Sequence, residues 1–278
     1  MNNSKPKFND AQLNELENKM EFTGSKFIRI KSTNKYKIAN TLMYADGNEI
    51  SIFISEDSTI VFDEKHYANI NQIISEELGV QYIHKITVYG GGKLHSCNKL
   101  FINIRALEID LSNFDTSSAL SFKQMFSDSR INDLICGNLD LDNASTLDSM
   151  FSNAAILKMD KPYWNLRKVV SADTMFQNCM LQCDLDLSAL DTSNIYRMNN
   201  MFLSFSCNKL NLSNFNISKV VEITSINKPL MLIHNVRCSR DSVLVSSDKN
   251  FNQYMKNIVL CDTGALIGYC ILFTKAWC

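Results

Sequence analysis

Apolar residues recur at fixed distances through the middle of the chain, and that recurrence predicts its architecture. Met-Phe pairs fall at Met125-Phe126, Met150-Phe151, Met175-Phe176 and Met201-Phe202, spaced roughly 25 residues apart with the last step longer by one, and Leu100-Phe101 lies one step earlier. Aligned on these pairs, Ile109, Leu134, Met159, Leu185 and Leu210 form one column, and Phe114, Leu139, Trp164, Leu190 and Phe215 form another. A third holds Leu111, Cys136, Lys161, Leu187 and Leu212, with Lys161 as its exception. Between the first and third columns polarity alternates, as in Leu107-Glu108-Ile109-Asp110-Leu111, which predicts a short strand in each winding. A polar turn follows, Asp115-Thr116-Ser117 and again Asp191-Thr192-Ser193, where short oxygen-bearing side chains can bond the local backbone. A partly helical or irregular segment then leads back to Met-Phe. One such winding cannot bury its own apolar edge, whereas a stack of them makes a continuous core. With neighbouring strands ~4.8 Å apart in a parallel ladder, the phenylalanines should stack inside it.

The flanks lack this period. Asn9 or Asp10 can cap a helix running to about Met20, with Phe8 as a staple and Leu13, Leu16 and Met20 on one face. Phe27 to Lys31 and Ser58 to Phe62 read as strands, and Thr41 to Tyr44 and Glu49 to Ile54 flank Asp46-Gly47, a hairpin signal. Tyr67 to Leu78 has helical spacing through Ile70, Ile73, Ile74 and Leu78, with Gly79 as a left-handed stop. Beyond Pro229, apolar stretches at Leu230 to Ile233, Val243 to Val245, Ile258 to Leu260 and Ala265 to Phe273 suit strands that cover the last winding.

The windows at residues 110–126 (DLSNFDTSSALSFKQMF) and 186–202 (DLSALDTSNIYRMNNMF) resemble the BspA-type leucine-rich repeat, also known as the mycoplasma lipoprotein-associated repeat. Residues 211–220 (NLSNFNISKV) look like a weaker copy, so the resemblance covers residues 85–228 or so. It implies a family of mostly bacterial surface or secreted proteins associated with adhesion and protein binding. The expected fold is an α+β N-terminal cap over residues 1–84, then a short leucine-rich-repeat parallel β solenoid over residues 85–228 and a β-rich C-terminal cap over residues 229–278. The solenoid should have about 5–6 coils, each of about 24–26 residues.

Composition narrows the role. The 28 Lys and Arg balance 29 Asp and Glu, which disfavours a phosphate-binding surface, so no direct nucleic-acid binding is expected. Hydrophobic residues at 45% against 21% charged describe a globular chain. The start, MNNSKPKFND, carries no apolar signal core, and the longest apolar run, Gly264 to Phe273, is too short to span a bilayer. Nine cysteines, an odd count without a compact framework, point to reduced thiols in a cytoplasm, that of a bacterium or an infected bacterial host.

Candidate chemistry is sparse. Cys179 and Cys183 lie four apart without a second pair to complete a metal set. His95 and Cys97 would share a face of a strand, with no nucleophile motif around them. Gly90-Gly91-Gly92-Lys93 has Thr87 and Leu94 where a phosphate loop needs Gly and Ser or Thr, so these glycines serve the turn into the first coil. No catalytic, cofactor or metal site is expected.

The outward strand positions are more informative. One column reads Asp110, Ile135, Asp160, Asp186, Asn211 and the other Glu108, Asp133, Lys158, Asp184, Lys209. Glu108, Asp110, Asp133, Asp160, Asp184 and Asp186 are therefore the candidate binding residues, for a protein partner with a basic surface. The function expected is a non-enzymatic intracellular protein-binding scaffold, in its sharper form a mobile-element or phage-type inhibitor of a bacterial defence enzyme. The alternatives are a surface adhesin of the BspA-like kind and an enzyme housed in a flanking unit, with His66, His84 or Cys261 taking part.

Overall fold

The computed structural model describes residues 5–21, 26–30, 41–55, 70–80, 82–220, 233–242, 255–256, 259–261 and 271–272. The strands expected at Ser58 to Phe62 and Val243 to Val245, and most of the Gly264 to Phe273 run, lie outside these residues.

Helix α1 (Asp10–Glu21) begins with a reciprocal capping box: Asn9 Oδ1 accepts the Gln12 amide at 2.9 Å while Gln12 Oε1 accepts the Asn9 amide at 2.9 Å. Leu13 on its inner face is fully buried, and Phe8, just ahead of the cap, packs edge-on against Phe53 at 5.5 Å. Strands β1 (Lys26–Ile30), β2 (Thr41–Asp46) and β3 (Glu49–Ile54) form an antiparallel meander, its tight turn opened by Gly47 at φ +57°. A crossover follows through α2 (Ile70–Ile73), which continues as a π-helical turn over Ile74–Leu78 and stops at Gly79, φ +67°. Ile70, Ile73, Ile74 and Leu78 are all buried, as their spacing requires.

The crossover delivers β4 (Ile83–Gly91) in parallel beside β3. From there parallel strands accumulate one per winding: β5 (Arg105–Asp115), β6 (Arg130–Ile135), β7 (Ala155–Met159) and β8 (Met180–Leu181). β1 to β8 therefore make one sheet in chain order, and the N-terminal strands extend the solenoid's own sheet. Gly91, at φ +116°, ends β4; a Cβ there would collide with the carbonyl oxygen of Asp115, so the first coil starts on a glycine. Across the turn edge, Lys5 Nζ donates to Phe114 O at 2.6 Å and to Asn138 O at 2.9 Å, tying the N-terminal segment to two successive coils.

Later strands are shorter: β9 (Leu185–Asp186), β10 (Phe202–Leu203), β11 (Leu210–Asn211), β12 (Ile233–His234), β13 (Arg237–Ser239), β14 (Met255–Lys256), β15 (Val259–Cys261) and β16 (Ile271–Leu272). β9 pairs in parallel with β11, and β10 with β12, which pairs with β14; single bridges from Met180 to Ser206 and from Ser206 to Arg237 carry the main ladder on to β13. β8 and β9 are one strand split by an extra residue. Ile156 pairs with Leu181, but Leu185 stands in the Met159 column, so the interval between coils grows by one from the first pair to the second. The winding absorbs its added residue at Gln182-Cys183-Asp184.

The molecule is a parallel β-solenoid of about five turns, one for each stacked phenylalanine. Phe101, Phe126, Phe151, Phe176 and Phe202 lie with ring centroids 5.5, 5.3, 5.2 and 5.5 Å apart and planes within 7° of parallel. The three aligned columns are buried as expected, except that Met159 is half-buried and Lys161 exposed. One expectation needs correction. Strict alternation holds only from Ile109 onward: Ala106 and Ile109 point inward while Leu107 and Glu108 both face out, and the next coil repeats this with Ile131, Asn132, Asp133 and Leu134. Of the two forms expected for the Met-Phe segment, partly helical or irregular, the irregular one is found. Each copy holds two left-handed residues flanking Met-Phe, as in Gln124 and Asp128, Ser149 and Asn153, Thr174 and Asn178. Those residues and the phenylalanine between them donate to the next coil, Gln124 N–H to Asp148 O at 3.0 Å, Phe126 N–H to Met150 O at 2.8 Å and Asp128 N–H to Ser152 O at 2.9 Å. The left-handed turns keep every second amide pointing along the stack.

Phe151 stacks on rings above and below and on Trp164 at 6.1 Å, so its neighbours have no room to collapse around a truncated side chain. Phe151→Ala should destabilise the chain by about 3–5 kcal/mol, read from the urea midpoint by circular dichroism.

Candidate functional site

The candidate residues lie along the outer face of the β4–β9 strands, but the fold uses most of them internally. Glu108 and Asp133 are in-register neighbours on β5 and β6, as are Asp133 and Lys158 on β6 and β7. Glu108 is paired with Lys85 of β4 at 2.5 Å, and that hydrogen bond holds the lysine's pKa above its ordinary value. Asp110 takes the Ser112 amide at 2.9 Å and the Ser112 hydroxyl. Asp160, just past the end of β7, reaches back to the preceding coil and accepts the amides of Cys136 and Gly137, each at 2.8 Å. Asp186 accepts from Ser188 through its amide (3.0 Å) and hydroxyl (2.6 Å) and pairs with Lys161 at 2.8 Å. The Lys161 hydrogen bond, then the Ser188 hydroxyl, hold the Asp186 carboxyl down at about 2.

Asp133 and Asp184 are different. Among the described residues, neither carboxylate has a hydrogen bond or ion pair. Asp184 is exposed because it sits on the extra residue's bulge. Beside them Leu107, Leu157 and Met180 are exposed, with Leu157 one coil on from Asn132, itself the neighbour of Leu107. The face is thus not a continuous acidic strip. It alternates in sign: Asp133 and Asp184 stand beside the exposed cations of Arg105, Arg130 and Lys158 and three apolar side chains.

The corner carboxylates carry a role that outward orientation alone did not disclose. Oδ1 of the first residue takes the amide two positions on in Asp110-Leu-Ser112, Asp115-Thr-Ser117, Asp140-Leu-Asp142, Asp186-Leu-Ser188, Asp191-Thr-Ser193, Asn211-Leu-Ser213 and Asn216-Ile-Ser218. The signal was present in sequence, as Asp or Asn two residues before a small polar residue at these corners; Asn165 takes the Arg167 amide in the same way. The threonines of the polar turns act between coils: Thr116 Oγ1 donates to Asp140 O and accepts the Asp140 amide, both at 2.9 Å, and Thr192 does the same with Asn216 at 2.9 and 2.8 Å.

The remaining candidates fall apart spatially. His95 is exposed while Cys97 is fully buried, because this segment is not a strand; the two do not share a face. Cys179 is buried in the same file as Ser129, Ala154 and Phe205, and Cys183 is half-buried on the bulge. Cys97, Cys136, Cys179, Cys183, Cys207 and Cys238 carry free thiols, and burial pushes the pKa of each upward, opposite to what a nucleophile needs. His84 packs edge-on against Tyr82 at 5.2 Å. Cys261 lies in β15, and His66 is outside the described residues. Among the described residues no group of three or more His, Cys, Asp or Glu is placed to hold a metal, and no helix is long and apolar enough to cross a membrane.

A family model described as a Mycoplasma protein of unknown function, DUF285, matches residues 69–185 and again residues 164–257. No curated protein and no solved structure matches the chain.

The low Asp186 pKa makes a signed prediction. The group is ionised in the fold at a pH where the unfolded chain, at about 3.9, binds the proton, so its contribution is present above pH ~4 and lost as pH falls toward about 2. Asp186→Asn should flatten this acid limb in a plot of urea midpoint against pH and leave the midpoint near neutral pH lower than that of the parent chain.

Proposed function

The chain belongs to the DUF285 family, whose model covers more than half of it, and from its stacked coils we propose that it is a non-enzymatic protein-binding scaffold. The observation that carries this reading is the outer strand face. Leu107, Leu157 and Met180 are held out to solvent beside the unpaired carboxylates of Asp133 and Asp184, on strands fixed in register by neighbours on both sides. A rigid surface loses little conformational freedom on binding, and unpaired carboxylates favour a partner with basic groups. Asp133 and Asp184 are the members of the acidic set that we assign to contact. Glu108, Asp110, Asp160 and Asp186 we assign to support, because their bonds within the fold already occupy them.

The finer reading takes the coils as BspA-type leucine-rich repeats, on the strength of the windows at residues 110–126 and 186–202. Residues 1–84 and 229–278 are then the caps of the two ends. Six buried or half-buried free thiols favour a reducing compartment, and hence the cytoplasm of a bacterium or an infected bacterial host. There, inhibition of a defence enzyme is the sharpest form of the role. The second reading, a surface adhesin, is favoured by the same repeat windows, and cell fractionation separates the two.

Asp133→Lys with Asp184→Lys places like charge against a basic partner. Capture of partner proteins by the tagged full chain should fall by about tenfold, with the circular dichroism spectrum unchanged. Equal capture by the folded double variant would remove this face from the function.

A further inference from the structure

We propose that a second side of the solenoid, centred on Leu120, Val170 and Tyr196, docks an acidic amphipathic helix of a partner protein. The inference rests on reading the chain as a protein-binding solenoid and assigns it a distinct surface with a stated partner chemistry.

These residues form one file. The Leu120 amide donates to His95 O at 2.9 Å, Ser145 to Leu120 O at 2.8 Å, Val170 to Ser145 O at 2.9 Å and Tyr196 to Val170 O at 3.0 Å. Each coil thus adds one residue, ~4.8 Å further along the stack. The preceding residues, Ala119, Ala144, Val169 and Ile195, are buried, so the core is already served from the adjacent position. Leu120, Val170 and Tyr196 nevertheless stand 51%, 43% and 43% exposed. The fold gives no reason for three large apolar side chains in water on one file.

Cations flank the file. Lys168 Nζ donates to Asn143 Oδ1 and Lys219 Nζ to Asn194 Oδ1, each at 2.6 Å across one coil, and Lys219 Nζ lies 6.0 Å from the centre of the Tyr196 ring. Both ammonium groups are positioned by neutral amides, and among the described residues neither has a carboxylate in an ion pair. Apart from the exposed Asp142, one coil before the exposed Arg167, the carboxylates on this side are turned to other work. Asp148 Oδ1 accepts the Ser171 hydroxyl at 2.5 Å and the Asp173 amide at 3.0 Å. Asp173 Oδ1 accepts the Asn199 amide at 2.7 Å, and its other oxygen pairs with Arg197. Asp191, close enough to Arg167 and Lys219 to feel both charges, is bonded first to Ser193. With Arg167, Lys168 and Lys219 exposed against Asp142 and Asp191, the surface offers apolar contact and an excess of positive charge together, which complements an acidic amphipathic segment.

Spacing selects a helix. Leu120 to Val170 is two coils, ~9.6 Å, and Val170 to Tyr196 one more, ~4.8 Å. A helix rising 1.5 Å per residue places residues seven apart ~10.5 Å along its axis and the next three or four residues a further ~4.5–6 Å. An extended strand repeats a face every ~6.8 Å and matches neither interval.

The test is fluorescence anisotropy of the full chain with a capped, fluorescein-labelled peptide of about 18 residues, enough for five helical turns. It carries leucine at the three matched positions and glutamate and alanine elsewhere. The peptide should bind, and its dissociation constant should rise about tenfold or more in Lys168→Glu/Lys219→Glu and in Val170→Ser/Tyr196→Ser, all exposed changes that leave the circular dichroism spectrum unaltered. A version with lysine in place of glutamate should not bind, and Asp133→Lys/Asp184→Lys should bind as the parent does. No binding, equal binding by the folded file variants, or preference of the same lysines for phosphatidylglycerol vesicles or a single-stranded oligothymidine would overturn the proposal. If partner capture still depends on Asp133 and Asp184 while the peptide fails, the docking helix is refuted and the scaffold role stands.

Discussion

The structure depends on one constraint: each winding must place its amides under the carbonyls of the next. The amide of Phe101 meets Met125 O, Phe126 meets Met150 O, Phe151 meets Met175 O and Phe176 meets Met201 O, all between 2.8 and 2.9 Å. A winding of a different length would leave these buried groups unpaired, at a cost comparable to several lost hydrogen bonds. Phenylalanine over phenylalanine is a consequence, since equal windings put identical positions in contact. The added residue at 182–184 shows how the constraint is met when length changes. It is looped out between two ladders, and the strand breaks into β8 and β9 there. That accommodation is also what exposes Asp184, so a rule of the fold shapes the surface available for contact.

Stacking like on like suits neutral side chains and penalises charges. Asn153 donates its amide to Asp128 Oδ1 at 3.0 Å and Asn178 donates to Asn153 Oδ1 at 3.0 Å, a polar ladder that satisfies itself coil after coil. Carboxylates cannot do this, and a directly opposed like pair is unfavourable by roughly 0.2–1 kcal/mol. The chain answers by interposing lysines, Lys158 beside Asp133 and Lys161 against Asp186, and by turning other carboxylates onto backbone amides. Few carboxylates are left over after that accommodation, and Asp184 among them is exposed because the added residue loops it out.

The Phe column and the three apolar columns were legible in the sequence because burial depends on side-chain type, and type recurs at the coil length. The hairpin at Asp46-Gly47, the Gly79 stop and a helix cap at Asn9 or Asp10 were legible because a turn or cap is specified by a few adjacent residues, while the choice of Asn9 and its return bond from Gln12 came from the structure. The outward columns were placed correctly, but orientation does not say what an outward aspartate bonds. Asp160 bonds to amides of the coil before it, a full winding away along the chain, which no local pattern reveals. The in-out-out-in step at Ala106 to Ile109 escapes a sequence reading because Leu107 is apolar and fits a simple alternation while pointing to solvent. The N-terminal strands look like a separate unit in the sequence since the parallel pairing of β3 with β4 spans a crossover and leaves no mark on the pattern.

Leu107 illustrates a wider inference about this fold. In a solenoid the inward positions are dictated by packing and the corner positions by backbone satisfaction, so side chains at those sites say little about purpose. Outward positions face neither demand, and polar residues there keep the sheet solvated. An apolar side chain at such a site is thus informative in a way that a buried one is not. Two groups of them occur on different sides of the coil, Leu107, Leu157 and Met180 with free carboxylates, and Leu120, Val170 and Tyr196 with free lysines. The first carries charges of both signs, with Arg105, Arg130 and Lys158 beside its carboxylates, and the second carries lysines, so their charge settings differ. The rigid stack between them would hold two partners at a fixed distance, which is the capability that a short solenoid adds over a single flat binding face.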